Sequence, residues 1–494
     1  MTLDLTRDLT RDLTRRGFFD RVGDGMYGLA LAHLLMKSVE SPRTAEAANH
    51  DRASRSFDLH PKTPHFGPRA NSVIHLCMQG GPSQVDLFDP KPALEKYDGK
   101  SPPRELTAGA VFENDRRGTL MKSPFRFSRY GQCGAWVSEL LPHIAREVDS
   151  LAIIRSMFNV HPNHEPAIYK MQSGQTFPGH PVFGSWIVYG LGSANQDLPA
   201  YVVLADPANR LPTNGVENWV SAYLPPLYQG TPMRSTGAPL LNLEPDYDEP
   251  NRVTDAKRSL QRRLDAMHRE RRPGQAVLDA RISNYEMAAR MQLEAADSLD
   301  TARETQETLA MYGIGQKTTD SYGRRCLLAR RLIERGVRFV QLYTKGQVWD
   351  NHRGIVKSLR TACDSTDKPV AGLLRDLRQR GLLESTLVLW GGEFGRLPMA
   401  QIQTKGDNSA GRDHGPYGFT SWMAGGGVKP GVVYGSTDDI GYASVENRVS
   451  IQDWHATILH LLGLDYRRLA FPRNGLEEKL THQLKARVVH EILS

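Results

Sequence analysis

The sequence predicts an α/β protein: a doubly wound, mainly parallel sheet with helices on both faces and a helical insertion. Three observations lead there. Apolar runs of strand length recur, VIHLCM at 73–78, LAIIR at 151–155, YVVL at 201–204, VRFVQLY at 337–343 and TLVLW at 386–390, and most lack the alternation of a half-solvated strand. Helical stretches separate several of them, as crossovers between parallel strands require. Between Asp255 and Tyr312 the pattern changes to a charged segment, poor in strand formers, which marks the insertion at about 255–313.

Composition narrows the function classes. With 39% hydrophobic and 24% charged residues in 494, the chain has the balance of an ordinary soluble globular protein. Its formal charge of +7 is spread along the length, with no basic stripe or aromatic-rich motif, so no nucleic-acid partner is expected. No run of about 20 apolar residues exists, which excludes an ordinary membrane-spanning helix. Cys77, Cys133, Cys326 and Cys363 form no CxxC pair, so a thiolate zinc cluster is not expected. Cys77, inside an apolar run, reads as a small buried hydrophobe, and one or two disulfides stay open.

The chain opens with three successive Asp-Leu-Thr-Arg units and runs into Thr14-Arg15-Arg16-Gly17-Phe18-Phe19, which looks like a twin-arginine export signal. A moderately apolar stretch and Ala45-Glu46-Ala47 follow, a pattern suited to signal cleavage. Residues 1–48 are therefore expected to direct export to the periplasm or beyond, with 49–494 as the folded domain. Retention of this segment would leave the chain in the cytoplasm.

The first strand, 73–78, ends in Gln79-Gly80-Gly81-Pro82-Ser83 before Asp86. Glycines let the backbone turn sharply at a strand end, which makes Asp86 the first candidate ligand, its other role being to cap the turn. The second strand, 151–155, delivers Ser156 and then His161-Pro162-Asn163-His164-Glu165. His161 and His164 would share a face on a helical turn. His180, in a Gly/Pro-rich loop, reads as structural. The strand 201–204 ends at Asp206. Within the insertion, Ile282, Tyr285, Ala288 and Met291 recur at helical spacing, Pro273-Gly274 divides at least two helices, and the basic run Arg262 to Arg272 reads as a solvated face.

A helix around 321–335 leads through Gly336, a C-cap residue, into the strand 337–343. Beyond it Trp349-Asp350-Asn351-His352 offers oxygen and nitrogen donors two apart, which an extended segment points the same way; the pair suits zinc-like ions. An amphipathic helix at 368–380 feeds the strand 386–390. The chain then runs through Gly391-Gly392-Glu393-Phe394-Gly395-Arg396 and a polar loop to Gly411-Arg412-Asp413-His414. Open α/β sheets place ligands beyond the carboxyl ends of their strands, and four strand ends now carry donors. Strands follow at 419–423 and 432–434, and Asp453 begins a last helix, where His455 and His460 read as surface or packing residues.

The segments TRRGFF, GGPSQVDLFDPKP, NHE, WDNH, GGEFGR, GRDHGP and WHATILHLLGLD together resemble the bacterial family known as domain of unknown function 1501, within the alkaline phosphatase and sulfatase superfamily. The resemblance covers nearly the whole chain. It implies the alkaline phosphatase/sulfatase type of α/β fold, with metal at the strand ends. By similarity Asp86, Asp350, His352, Glu393 and His414 take the metal positions, with Asp413 beside them as a further donor; His161, His164 and Arg396 are the catalytic candidates, either histidine being able instead to ligate the metal. The ion would be divalent, zinc first, with manganese or calcium as alternatives. Phe394 departs from the superfamily, standing where an imidazole of a paired Asp-His belongs, and no Cys-x-Pro-x-Arg sulfatase signature occurs. Ser156 is the nearest hydroxyl at the nucleophile position. The expected activity is metal-dependent hydrolysis of phosphate or sulfate esters, on a small molecule or a polysaccharide, with Arg396 and secondarily Arg412 clamping the anionic group. The alternative is a non-catalytic cell-envelope binding or structural protein on the same fold.

Overall fold

Strand-length apolar runs do become the central sheet. The computed structural model describes residues 57–102, 117–206, 211–235, 250–272, 275–299, 301–401, 410–482 and 484–494; the expected export segment at 1–48 lies outside them. The described strands that matter here are β1 (Ser72–Cys77), β2 (Arg117–Leu120), β3 (Phe127–Tyr130), β4 (Ala135–Ser138), β5 (Leu151–Phe158), β6 (Tyr201–Leu204), β7 (Thr231–Met233), β8 (Phe339–Tyr343), β9 (Thr386–Gly391), β10 (Gly395–Gln401), β11 (Gly411–Gly415), β12 (Phe419–Ala424) and β13 (Val432–Tyr434). The main sheet runs in the order β13-β5-β12-β9-β1-β8-β6-β7. Every pair along it is parallel except those made by β12, which is antiparallel to both β5 and β9. The carboxyl ends of β5, β9, β1 and β8 therefore lie on one edge.

Helices cover both faces: α1 (Gln84–Leu87), α2 (Pro92–Lys96), α3 (His164–Ser173), α4 (Phe183–Leu191), α5 (Asn251–Arg271), α6 (Ala276–Leu299), α7 (Gln306–Met311), α8 (Asp320–Glu334), α9 (Ile355–Gln379) and α10 (Ile451–Leu461). The two-residue period of the strands divides the core. Ile74 and Leu76 of β1, with Val388 and Trp390 of β9, face α8 and α9 through Leu332, Leu359 and Leu373. Val73 of β1, with Leu387 and Leu389 of β9, faces α4 and α10 through Phe183, Trp186 and Trp454. Burial on both sides explains why the runs are continuously apolar.

Several elements differ from the sequence expectation. Strand β5 continues to Phe158, so Ser156 lies inside it, buried, its Oγ donating to the Asn447 carbonyl at 2.7 Å. Helix α9 begins at Ile355, between three and four turns before the expected start at Lys368, and contains Pro369. The polar cluster before Pro369 resembles a helix start, but its Asp367 instead accepts the amides of His143 and Ile144. The described residues on either side of the polar loop form strands: β10 pairs antiparallel with β11 and β2 in a small separate sheet. Its strands are irregular, with register shifts in both pairings, which blurs the period-2 signal. In α6, Ile282 is buried while Tyr285 is 59% exposed, so the expected apolar row splits between two sides. All four cysteines are free, and Cys77 is buried as expected, its thiol pushed up to about 12 by that burial. In α10, Ser450 caps the helix and Asp453 completes a capping box.

Candidate metal centre

Four segments meet at the carboxyl edge of the sheet. After β8, Asp350 and His352 turn back on themselves, with His352 Nε2 2.8 Å from Asp350 Oδ1. After β5, Asn163 precedes α3 and places His164 in its first turn, with Nε2 3.4 Å from the same oxygen. From β11, His414 Nε2 comes to 3.2 Å of it. One ligand atom from each of His164, Asp350, His352 and His414 lies within 4.8 Å of every other. His164 and His414 are buried, and Asp350 and His352 are partly exposed, so the cluster is walled on one side and open on the other.

The outer nitrogens of the three imidazoles all meet acceptors. His164 Nδ1 lies 2.6 Å from Glu393 Oε1, His414 Nδ1 lies 2.7 Å from the Pro162 carbonyl, and His352 Nδ1 bonds the Gln401 side-chain oxygen. A carboxylate, a carbonyl and an amide oxygen cannot donate, so each Nδ1 carries the hydrogen and each Nε2 faces inward. That is the arrangement by which proteins orient metal-binding histidines.

Glu393 and Arg396 are set by the glycine turn after β1. Gly80 has φ +111°, and a Cβ there would sit 2.5 Å from the Asp350 amide nitrogen. The open backbone lets the Gly80 amide donate to Glu393 Oε1 at 2.9 Å. The Gly80 and Gly81 carbonyls accept from the Arg396 guanidinium, which also donates to the Arg412 carbonyl at 3.1 Å and to Asp350 Oδ1 at 2.5 Å. Gln84 clamps the Arg396 backbone, its oxygen accepting the amide at 2.9 Å and its nitrogen donating to the carbonyl at 2.8 Å. Phe394 is fully buried, its ring 4.9 Å from that of His164 and 4.7 Å from that of His414 between centroids. It is an apolar wall behind the two imidazoles.

Charge in the cluster is strongly coupled. Burial resists ionisation of Asp350, but Arg396 and the three histidines hold its carboxyl far below the usual carboxylate range. Burial likewise opposes charge on His164, yet the carboxylates of Asp350, 3.4 Å from Nε2, and Glu393, bonded to Nδ1, raise it to about 9. Without an ion, His164 therefore carries a proton at neutral pH. The donor set, three inward imidazole nitrogens and a carboxylate, fits a divalent ion of the zinc type. Two buried atoms also lack hydrogen-bond partners, His164 Nε2 and Asp413 Oδ2, as expected where a ligand completes a site.

The remaining sequence candidates divide. Glu393 touches the cluster from outside, through His164. Asp413 lies beside it, Oδ1 accepting the His414 amide at 2.9 Å and standing 3.8 Å from His352 Nδ1. His161 stays outside, half-buried before α3, its Nδ1 accepting the Asn163 amide at 3.1 Å rather than sharing a helical face with His164. Asp86 lies apart from the four-residue cluster: it is fully buried, and Arg412 grips both its oxygens, at 2.6 and 3.1 Å. Arg396 and Arg412 are both 0% exposed, with their guanidinium groups spent on the protein. Gln401 and the Pro162 carbonyl were missed by the sequence reasoning, because neither an amide nor a backbone oxygen has a motif of its own.

No curated protein matches the chain. Solved structures similar to it include Ps i-CgsB in complex with k-i-k-neocarrahexaose, 11% identical over 80% of this chain and 72% of that one, with TM-score 0.34. The lipoteichoic acid synthase LtaP from Listeria monocytogenes is 9% identical over 85% and 78%, with TM-score 0.33. The PsFucS1 sulfatase from Pseudoalteromonas sp. is 12% identical over 80% and 68%, with TM-score 0.34. At that distance the likeness carries no argument about function. The family described as "Protein of unknown function (DUF1501)" matches residues 70–493, which takes in every segment of the cluster, and the chain belongs to that family.

Proposed function

We propose that the protein is a metal-dependent hydrolase of phosphate or sulfate esters, with His164, Asp350, His352 and His414 holding a divalent ion. One observation carries this: three histidines present Nε2 to a shared carboxylate oxygen while an acceptor fixes each Nδ1. A bound divalent ion supplies Lewis acidity to an ester oxygen and acidity to a bound water. The chain's own groups do the rest. Arg396 fixes the Asp350 carboxylate, Glu393 orients His164 and holds its Nδ1 proton, and Phe394 excludes water behind the imidazoles. His161, on the loop that also supplies the Pro162 carbonyl, is the imidazole proposed to protonate a leaving group. Asp413 is held beside His352 as an outer carboxylate.

The test is elemental analysis of the purified protein, followed by hydrolysis of aryl phosphates and aryl sulfates with zinc, manganese and calcium supplied in turn. His414→Ala should remove both metal and turnover, whereas His161→Ala should lower kcat and leave the metal in place. A protein that takes up no divalent ion, or hydrolyses esters equally well after His414→Ala, refutes the proposal. The commitment of Ser156, Arg396 and Arg412 to protein partners favours a second reading, a non-catalytic binding protein that keeps the metal. It predicts full metal loading with no turnover on any ester. Export through the N-terminal twin-arginine segment belongs to the same proposal, and mass spectrometry of the mature N-terminus tests it: retention of residues 1–48 would place the chain in the cytoplasm.

A further inference from the structure

Helix α5 is built with its sides reversed. Its 21 residues span about 30 Å, and an amphipathic helix of a folded domain ordinarily turns its apolar stripe inward. Here the side toward α6 is polar. The partly covered positions are Val253, near the N-terminal end, and the polar Thr254, Arg258 and Asp265, and Arg269 Nε donates to Asp279 Oδ1 of α6 at 2.9 Å. A cleft of about 420 Å³ between the two helices is lined by charged and polar groups such as Asp255, Arg262 and Glu286. The apolar residues point the other way: Leu260, Leu264 and Met267, spaced four and three apart on one stripe, are 58%, 55% and 49% exposed.

Charge identifies what covers this stripe. The helix holds seven Lys/Arg against three Asp/Glu. At 100° per residue, Arg252 and Arg263 border the stripe on one side and Lys257 on the other, and all three are exposed. Of the three acidic residues, Asp255 and Asp265 fall on the opposite half of the helix, toward the cleft, and Glu270 borders the stripe only at its C-terminal end. We propose that α5 lies in the plane of an anionic lipid surface, inserting Leu260, Leu264 and Met267 while the flanking cations reach the headgroups.

A second copy of this chain is disfavoured as the occupant, because stripe-to-stripe pairing brings together two helices that each hold seven Lys/Arg against three Asp/Glu. An acidic partner helix is disfavoured by shape. The stripe is a convex ridge with basic shoulders, which a plane accommodates, whereas peptide helices are bound in grooves. Long Arg and Lys side chains keep their charge at the headgroup level while their stems cover apolar surface. The association is peripheral: among the described residues no helix is long and apolar enough to cross a membrane.

The experiment is flotation of the full chain with vesicles of phosphatidylcholine alone, and of phosphatidylcholine mixed with phosphatidylglycerol, at low and high salt. The wild-type protein should float with the mixed vesicles at low salt and not with the neutral ones. The combined variant Leu260→Gln, Leu264→Gln, Met267→Gln should weaken binding by roughly tenfold or more. Arg252→Gln, Lys257→Gln and Arg263→Gln together should abolish the preference for phosphatidylglycerol. These six positions are exposed, so unchanged circular dichroism is expected and separates loss of binding from loss of fold. Equal flotation with both vesicles, or flotation undiminished in the glutamine variants, overturns the proposal. So does absence of flotation together with a dimer, or binding to an acidic helical peptide, that the Leu260/Leu264/Met267 variant removes.

Discussion

At the scale of single residues the proposed metal centre sets a proton against an ion for His164. Its Nδ1 is committed to Glu393, so both a proton and a metal must use Nε2 beside Asp350. With the imidazolium raised to about 9, metal loading at neutral pH must expel a proton. Apparent affinity should therefore rise about tenfold per pH unit from 7 toward 9 and then level off. Calorimetry of zinc binding in two buffers of different ionisation heat checks this by counting protons, and a count near zero at pH 7 would refute the assignment. Glu393→Gln removes the charge that favours the imidazolium but keeps an oxygen for Nδ1. It should lower the His164 pKa, reduce the proton count, and cost about 10- to 100-fold in metal affinity. Histidine NMR and competition with a chelator read the two effects separately.

At the scale of elements, most of the donors were legible because each follows a strand: Asp350 and His352 after β8, Glu393 after β9, His164 after β5. Asp86 also follows a strand, and by that rule alone it looks the same. What separates it is Arg412 on β11, a strand whose irregular register hid it and whose pairing with β10 no local pattern announced. The Asp86–Arg412 pair has no exposed side-chain surface on either partner and ties the first turn after β1 to the small sheet. Removing one member leaves a buried charge, which costs about 3–5 kcal/mol. Asp86→Ala should therefore lower stability by that amount in both metal-loaded and metal-stripped protein. Denaturant unfolding of the two forms checks it. A penalty confined to the loaded form would return Asp86 to the ligand set. The paired change Asp86→Leu with Arg412→Met should recover much of the loss, since no charge is then left alone.

At the scale of the whole molecule, a different pair of histidines ties the sheet to the helices on the face that α4 and α10 cover. Phe183 of α4 lies 5.1 Å from the ring of His75 on β1 and 5.3 Å from that of His455 on α10. Both imidazoles are buried, and burial lowers each to about 3. The sequence left His455 open between surface and packing and gave no sign for His75, since one histidine in an apolar run reads the same whether it packs or binds. The linkage follows from the direction. The unfolded chain takes up protons near pH 6.5 and the native state only near 3, so stability present above 6.5 is lost as pH falls through that interval. Each histidine gives a slope of about 1.4 kcal/mol per pH unit. Asp367 acts in the opposite sense: burial pushes it up to about 7, so the native state holds its proton below that pH and gains stability as acid is added. One carboxyl offsets about one of the two histidines, and a net acid loss remains. His75→Phe removes one titrating group while keeping an aromatic ring against Phe183. Its stability should fall less steeply between pH 6 and 4, by about 1.4 kcal/mol per pH unit relative to wild type. Parallel unfolding-versus-pH curves for the two proteins would show instead that His75 is already charged, or already exposed, in the native fold.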